Sequence, residues 1–141
     1  MNQPSIRCLT RAFRGAAVGL LIVLVAASAA CVRSACARSM ELDPLRTDGD
    51  KYQLLFENQL VRVLRYHDEP GVETHLHHHP CFVLYALGSF KRDLTFADGS
   101  HRSREFRMGD AAFMPAQSHA GHNIGDTPSD ALLVELKGPC G

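Results

Sequence analysis

Residues 74–80 read THLHHHP and put four imidazoles, His75, His77, His78 and His79, into five positions. Successive side chains of a β-strand point to opposite faces. On a strand, His75, His77 and His79 therefore share one face and His78 takes the other. Two histidines at i and i+2 can reach one metal ion together, and a third ligand must come from elsewhere in the fold. Downstream, SHAGHN at residues 118–123 supplies His119 and His122. These lie three apart, so on a strand they cannot both point inward.

The surrounding chain supports strands. LVRVLRY (60–66) interleaves apolar and basic residues, and CFVLYALG (81–88) is a nearly continuous apolar run with β-branched and aromatic content. RDLTF (92–96) alternates, meets the turn signal ADGS (97–100) and returns through HRSREF (101–106), which reads as a hairpin. AAFMP (111–115) is a short strand stopped by Pro115, and ALLVELK (131–137) is a last buried strand. Turn signals recur at Pro70-Gly71, Asp98-Gly99, Gly109-Asp110 and Gly125-Asp126. Many short strands punctuated in this way predict an all-β sandwich or barrel. The sequence has no phosphate-cradling glycine loop, no evident internal repeat and no Ser/His/Asp nucleophile pattern.

The two histidine segments resemble the two motifs of the cupins. In PGVETHLHHHP, Gly71 is followed after five residues by His77, His79 and then Pro80. In GDAAFMPAQSHAGHN, Gly109 leads after five residues to Pro115, then His119, with Asn123 four further on. The resemblance spans about residues 50–137 and implies an all-β, double-stranded β-helix barrel. In that family three histidines, usually with a glutamate, hold a metal ion in the barrel mouth. Carried onto this chain, the resemblance names His77, His79 and His119 as ligands, with His75 as a further candidate.

Two departures limit the match. The family glutamate belongs at Val83 or Leu84, and no carboxylate lies between His79 and Arg92. The second motif is one residue short, with Gln117 where glycine is usual. A second register is open. If His75 and His77 form the His-x-His pair, Cys81 falls at the glutamate position and Gly88 follows at the family spacing. That pattern resembles thiol dioxygenases, a cupin branch with three histidines and a nearby cysteine.

The first forty residues follow different rules. Arg7, Arg11 and Arg14 precede an apolar run, GAAVGLLIVLVAASAA (15–30), and ACA (35–37) has the A-x-A form of a cleavage site. The run is short for a spanning helix, which needs about 20 apolar residues. The expected division is a signal peptide over 1–37, a polar lead-in over 38–50 and the cupin domain over 51–141. The mature protein is then exported, periplasmic or secreted. Lipidation at Cys31 or an uncleaved anchor are the alternatives. Of five cysteines, only Cys81 and Cys140 remain in the mature domain. They are too few for a disulfide scaffold or a cysteine-rich zinc site, and the sequence leaves their pairing open.

Lys+Arg 15 balances Asp+Glu 15, without the basic surplus of a nucleic-acid binder. The expected function is a metal-binding cupin with one divalent ion (iron, zinc, nickel or copper). It acts as a dioxygenase-like oxidoreductase on a small organic molecule. The alternative is a non-catalytic module that binds a metal or small ligand, and a scavenger of several ions is a third reading. The partners expected are a small-molecule ligand, no nucleic acid, no membrane after signal cleavage, and a second copy in a homodimer through an extended edge.

Overall fold

A computed structural model describes residues 41–140. The export segment expected over 1–37, including Cys31, lies outside the described residues. Among the described residues, no helix is long and apolar enough to cross a membrane.

Among the described residues, a short helix, α1 (Pro44–Thr47), precedes nine strands: β1 (Tyr52–Glu57), β2 (Val61–Asp68), β3 (His77–His79), β4 (Phe82–Ala86), β5 (Phe90–Phe96), β6 (His101–Phe106), β7 (Ala111–Met114), β8 (Gln117–Asn123) and β9 (Ser129–Leu136). They form a five-stranded sheet in the order β1-β2-β9-β4-β7 and a four-stranded sheet in the order β3-β8-β5-β6. Every strand pairing is antiparallel.

Period-two patterning sets what faces inward. In β9 burial alternates strictly, so Ser129, Ala131, Leu133 and Glu135 point into the protein. In β8 the same parity turns His119, Gly121 and Asn123 inward, and in β5 it turns Phe90, Arg92 and Leu94. Leu64, Tyr66, Phe82, Phe90, Phe106 and Leu133 are central to one apolar core. The two motif glycines have a backbone reason: Gly71 sits at φ 80 and Gly109 at φ 92, a left-handed region that side-chain-bearing residues rarely occupy.

Three features were not evident in the sequence. Residues 43–50, read as a polar lead-in, pack onto the strands: Asp43 caps α1 through Leu45 N (2.9 Å), and Pro44 and Asp48 are buried. The segment YQLLFE forms β1, an edge strand that its sequence does not single out. Tyr85, within the apolar run over 81–88, is exposed. In β4 the inward parity belongs to Phe82, Leu84 and Ala86, which the continuous apolar run conceals.

The same interior holds a buried polar network around Arg92, which lines one cavity with His79 and His119. Arg92 Nη1 donates to Asp68 Oδ2 (2.6 Å), to Ser129 Oγ (3.2 Å) and to the Tyr66 hydroxyl. The Tyr66 hydroxyl donates to the same Asp68 oxygen. Asn123 Nδ2 donates to Asp68 Oδ1 (3.2 Å) and to the Thr127 carbonyl (3.0 Å). Gly121 makes room, since a Cβ there would collide with Arg92 Nη2.

Candidate metal centre

Strand pairing assembles the histidines. β3 and β8 are antiparallel neighbours with His77 opposite His119, and His79 lies two positions along the same face of β3. Ring centroids are 4.7 Å apart for His77–His119, 4.9 Å for His77–His79 and 5.6 Å for His79–His119. One ring nitrogen from each lies within 4.8 Å of the others, close enough for small side-chain rotations to bring all three onto one ion. His77, His79 and His119 are all buried.

Partners behind the rings fix which nitrogen faces the cluster. His77 Nδ1 donates to the His75 carbonyl (2.8 Å), and His79 Nδ1 donates to Glu135 Oε1 (2.6 Å). Each ring thereby turns its Nε2 toward the others, an arrangement that orients metal-binding histidines generally. The Tyr52 hydroxyl lies 3.1 Å from His77 Nε2. His79 Nε2 and His119 Nδ1 are buried with no hydrogen-bond partner. An unsatisfied buried polar atom costs about 1–3 kcal/mol, and a coordinated ion would satisfy such nitrogens. The donor set thus fits a borderline metal ion.

The electrostatics agree. Burial, reinforced by the neighbouring His79, lowers His77 to about 4, and burial with His77 and His79 nearby lowers His119 to about 2. Both rings are neutral at neutral pH, so a metal would displace no proton from them. Burial raises the Glu135 carboxyl, but hydrogen bonds from His79 and Arg62 outweigh it and leave the group below its ordinary range.

His75 does not join the cluster. A bend at Leu76 precedes β3, so the alternation does not run back from His77 to His75. The His75 side chain is 77% exposed, and its backbone N and its Nδ1 meet Asp48 Oδ1 at 3.1 and 3.0 Å. Cys81 pairs with Cys140 in a disulfide, so the register built on His75, His77 and a free Cys81 is not formed. His78 lies on the opposite face with Nδ1 2.9 Å from Ser118 Oγ, and His122 is half-buried near Glu73.

Sequence reasoning missed Glu135 and Tyr52. The signal for Glu135 was available in ALLVELK, where alternation places it on the face of Ala131 and Leu133. Glu135 does not replace the missing family glutamate, because it meets His79 on the nitrogen turned away from the cluster.

A cavity of ≈ 50 Å³ adjoins His79 and His119, walled largely by apolar residues including Phe82, Phe90, Met114 and Leu133. Drug-sized sites run to roughly 300–1,000 Å³, so this one suits a ligand of few heavy atoms.

No family model and no curated protein matches the chain. Among solved structures, a cupin domain from Bordetella pertussis Tohama I is similar, with TM-score 0.57 and 22% identity over 62% of this chain and 92% of that one. A double-stranded β-helix protein from Klebsiella pneumoniae shares 22% identity over 64% and 74% at TM-score 0.49. A cupin protein from Methanocaldococcus jannaschii shares 15% over 60% and 77%, also at 0.49. Two facing antiparallel sheets, the two glycine-led histidine segments and the Bordetella likeness agree: the chain carries the cupin fold, a small double-stranded β-helix.

Proposed function

We propose that the domain is a metal-dependent oxidoreductase of the dioxygenase type. It holds one divalent ion on His77, His79 and His119 and acts on a small organic molecule. The observation that carries this reading is the convergence of three buried imidazoles, two with unpartnered ring nitrogens, beside a small cavity. A divalent ion there supplies Lewis acidity and, where it is iron, nickel or copper, electron transfer with dioxygen. The chain's own residues position and shield. Glu135 and the His75 carbonyl hold the rings, Tyr52 keeps a hydroxyl proton beside His77 Nε2, and the apolar walls exclude water.

Oxygen uptake by iron-loaded protein offered thiols, β-diketones and flavonols tests the catalytic reading. Substrate-dependent uptake abolished by His77→Ala supports it, and no uptake with any class by a fully loaded protein overturns it. One observation favours a non-catalytic binding module instead: among the described residues, no carboxylate lines the cavity to serve as a general base.

Export is part of the same reading. The basic and apolar segments of residues 7–30 support it, as does the Cys81–Cys140 bridge, since disulfides persist in oxidising compartments. A homodimer is supported by Phe56, Tyr85 and Phe113, which are exposed on strands of the larger sheet.

A further inference from the structure

Arg92 and Arg104 stand directly opposite each other on β5 and β6. Both line the cavity beside His79 and His119. Like charges directly opposite in a sheet are destabilising. The charge of Arg92 is answered inside the protein by Asp68 at 2.6 Å. Arg104 is half-buried and, among the described residues, has no ion pair and no side-chain hydrogen bond. Among the described residues, no carboxylate lines the cavity, while Gln117 adds an amide to the same wall. A partly desolvated guanidinium, set against a second one and left without a counter-charge, lacks an anion.

We propose that Arg104 is the anchor for the carboxylate of a small carboxylic-acid ligand whose short apolar body lies against the cavity's apolar wall. The guanidinium fork matches a carboxylate through two parallel hydrogen bonds. The apolar lining favours a ligand with hydrocarbon next to its charge, which free phosphate lacks. The small volume favours an acid of about two to four carbons. The proposal rests on the cavity beside the histidines being the ligand site, and it needs no metal for binding to be read.

The test compares propionate with propionamide, binding to EDTA-treated and to zinc-treated protein at low ionic strength, followed by NMR titration. Propionate is expected to bind the wild-type protein at least tenfold more tightly than propionamide in both preparations. Arg104→Gln removes that difference, and Arg104→Lys keeps part of it. Arg104→Gln also leaves the thermal midpoint unchanged or higher, because it relieves the opposition to Arg92. That stability readout separates an anchor from a structural arginine, and Arg104→Lys reads the same difference if the Gln variant misfolds. Equal binding of acid and amide, an unchanged propionate affinity in Arg104→Gln, or binding of inorganic phosphate in place of propionate overturns the proposal. A protein that takes up no zinc contradicts the metal reading while the EDTA-treated arm still decides this one.

Discussion

His79 Nδ1 lies 2.6 Å from Glu135 Oε1, and each side chain is 1% exposed. The other Glu135 oxygen accepts from Arg62 Nε at 2.5 Å, and Arg62 Nη1 reaches Asp43 Oδ2 at 2.7 Å. A ring of the candidate metal centre is thus held by a chain of charges ending in the turn before α1. The short segment at residues 43–50 contributes to the site as well as to the fold.

Glu135→Gln keeps the shape but weakens the hold on His79. Partners of this kind typically contribute about 10–100-fold to metal affinity, so a loss in that range is expected in a zinc competition titration against a chelator. Glu135→Ala also removes one of the two carboxylates that Arg62 holds and should destabilise the protein by roughly 1–3 kcal/mol, measured by urea unfolding. Wild-type affinity in Glu135→Gln would show that Glu135 does not orient the ring.

Asp68→Asn leaves the Arg92 charge buried without its counter-charge, with side chains 0% and 9% exposed. Breaking one side of such a pair costs about 3–5 kcal/mol. The expected outcome is a fall in unfolding free energy of that size, seen as a lower urea midpoint with unchanged m-value, and a loss below about 1 kcal/mol would contradict the network's assigned role.

The Cys81–Cys140 bridge joins residues 59 apart in sequence. Closing a loop of that length stabilises by roughly 4 kcal/mol in the chain-entropy model. Cys140→Ser, or reduction with dithiothreitol, should lower unfolding stability by about 2–4 kcal/mol. An unfolding curve insensitive to reductant would mean that the two thiols are not bridged in solution.

The strand pattern and the pairing of His77 with His79 were legible because both express local spacing, whereas His119 was named by the resemblance to the second cupin motif. Period two separates His78 from its neighbours and His119 from His122, and the hairpin over residues 92–106 follows from its turn residues. What was hidden depends on long-range register or on a break in the local pattern. The bend at Leu76 removes His75 from the face that strict alternation gives it. Glu135 reaches His79 only because the fold brings β9 against β3, 56 residues away in sequence. Tyr52 reaches His77 across 25 residues by the same kind of long-range placement. The outward turn of Tyr85 was hidden because a nearly continuous apolar run carries no parity of its own.

Imidazole sites bind divalent metals in a general order that rises from manganese and iron through nickel to copper, with zinc below copper. A set of three histidines without a carboxylate should follow it. In equilibrium competition under anaerobic conditions, copper, nickel or zinc is expected to displace iron(II). Iron(II) outcompeting zinc would show that the site's geometry overrides the ligand order, and would strengthen the dioxygenase reading.

The most direct measurement is bound zinc per chain after equilibrium dialysis, determined by elemental analysis for wild-type protein and single histidine variants. The account predicts one ion per chain in wild type, His75→Ala and His78→Ala, and at least about a tenfold loss of affinity in His77→Ala, His79→Ala and His119→Ala. Several ions per chain, no ion in the wild-type protein, or a loss in His75→Ala or His78→Ala equal to that in His77→Ala would contradict it.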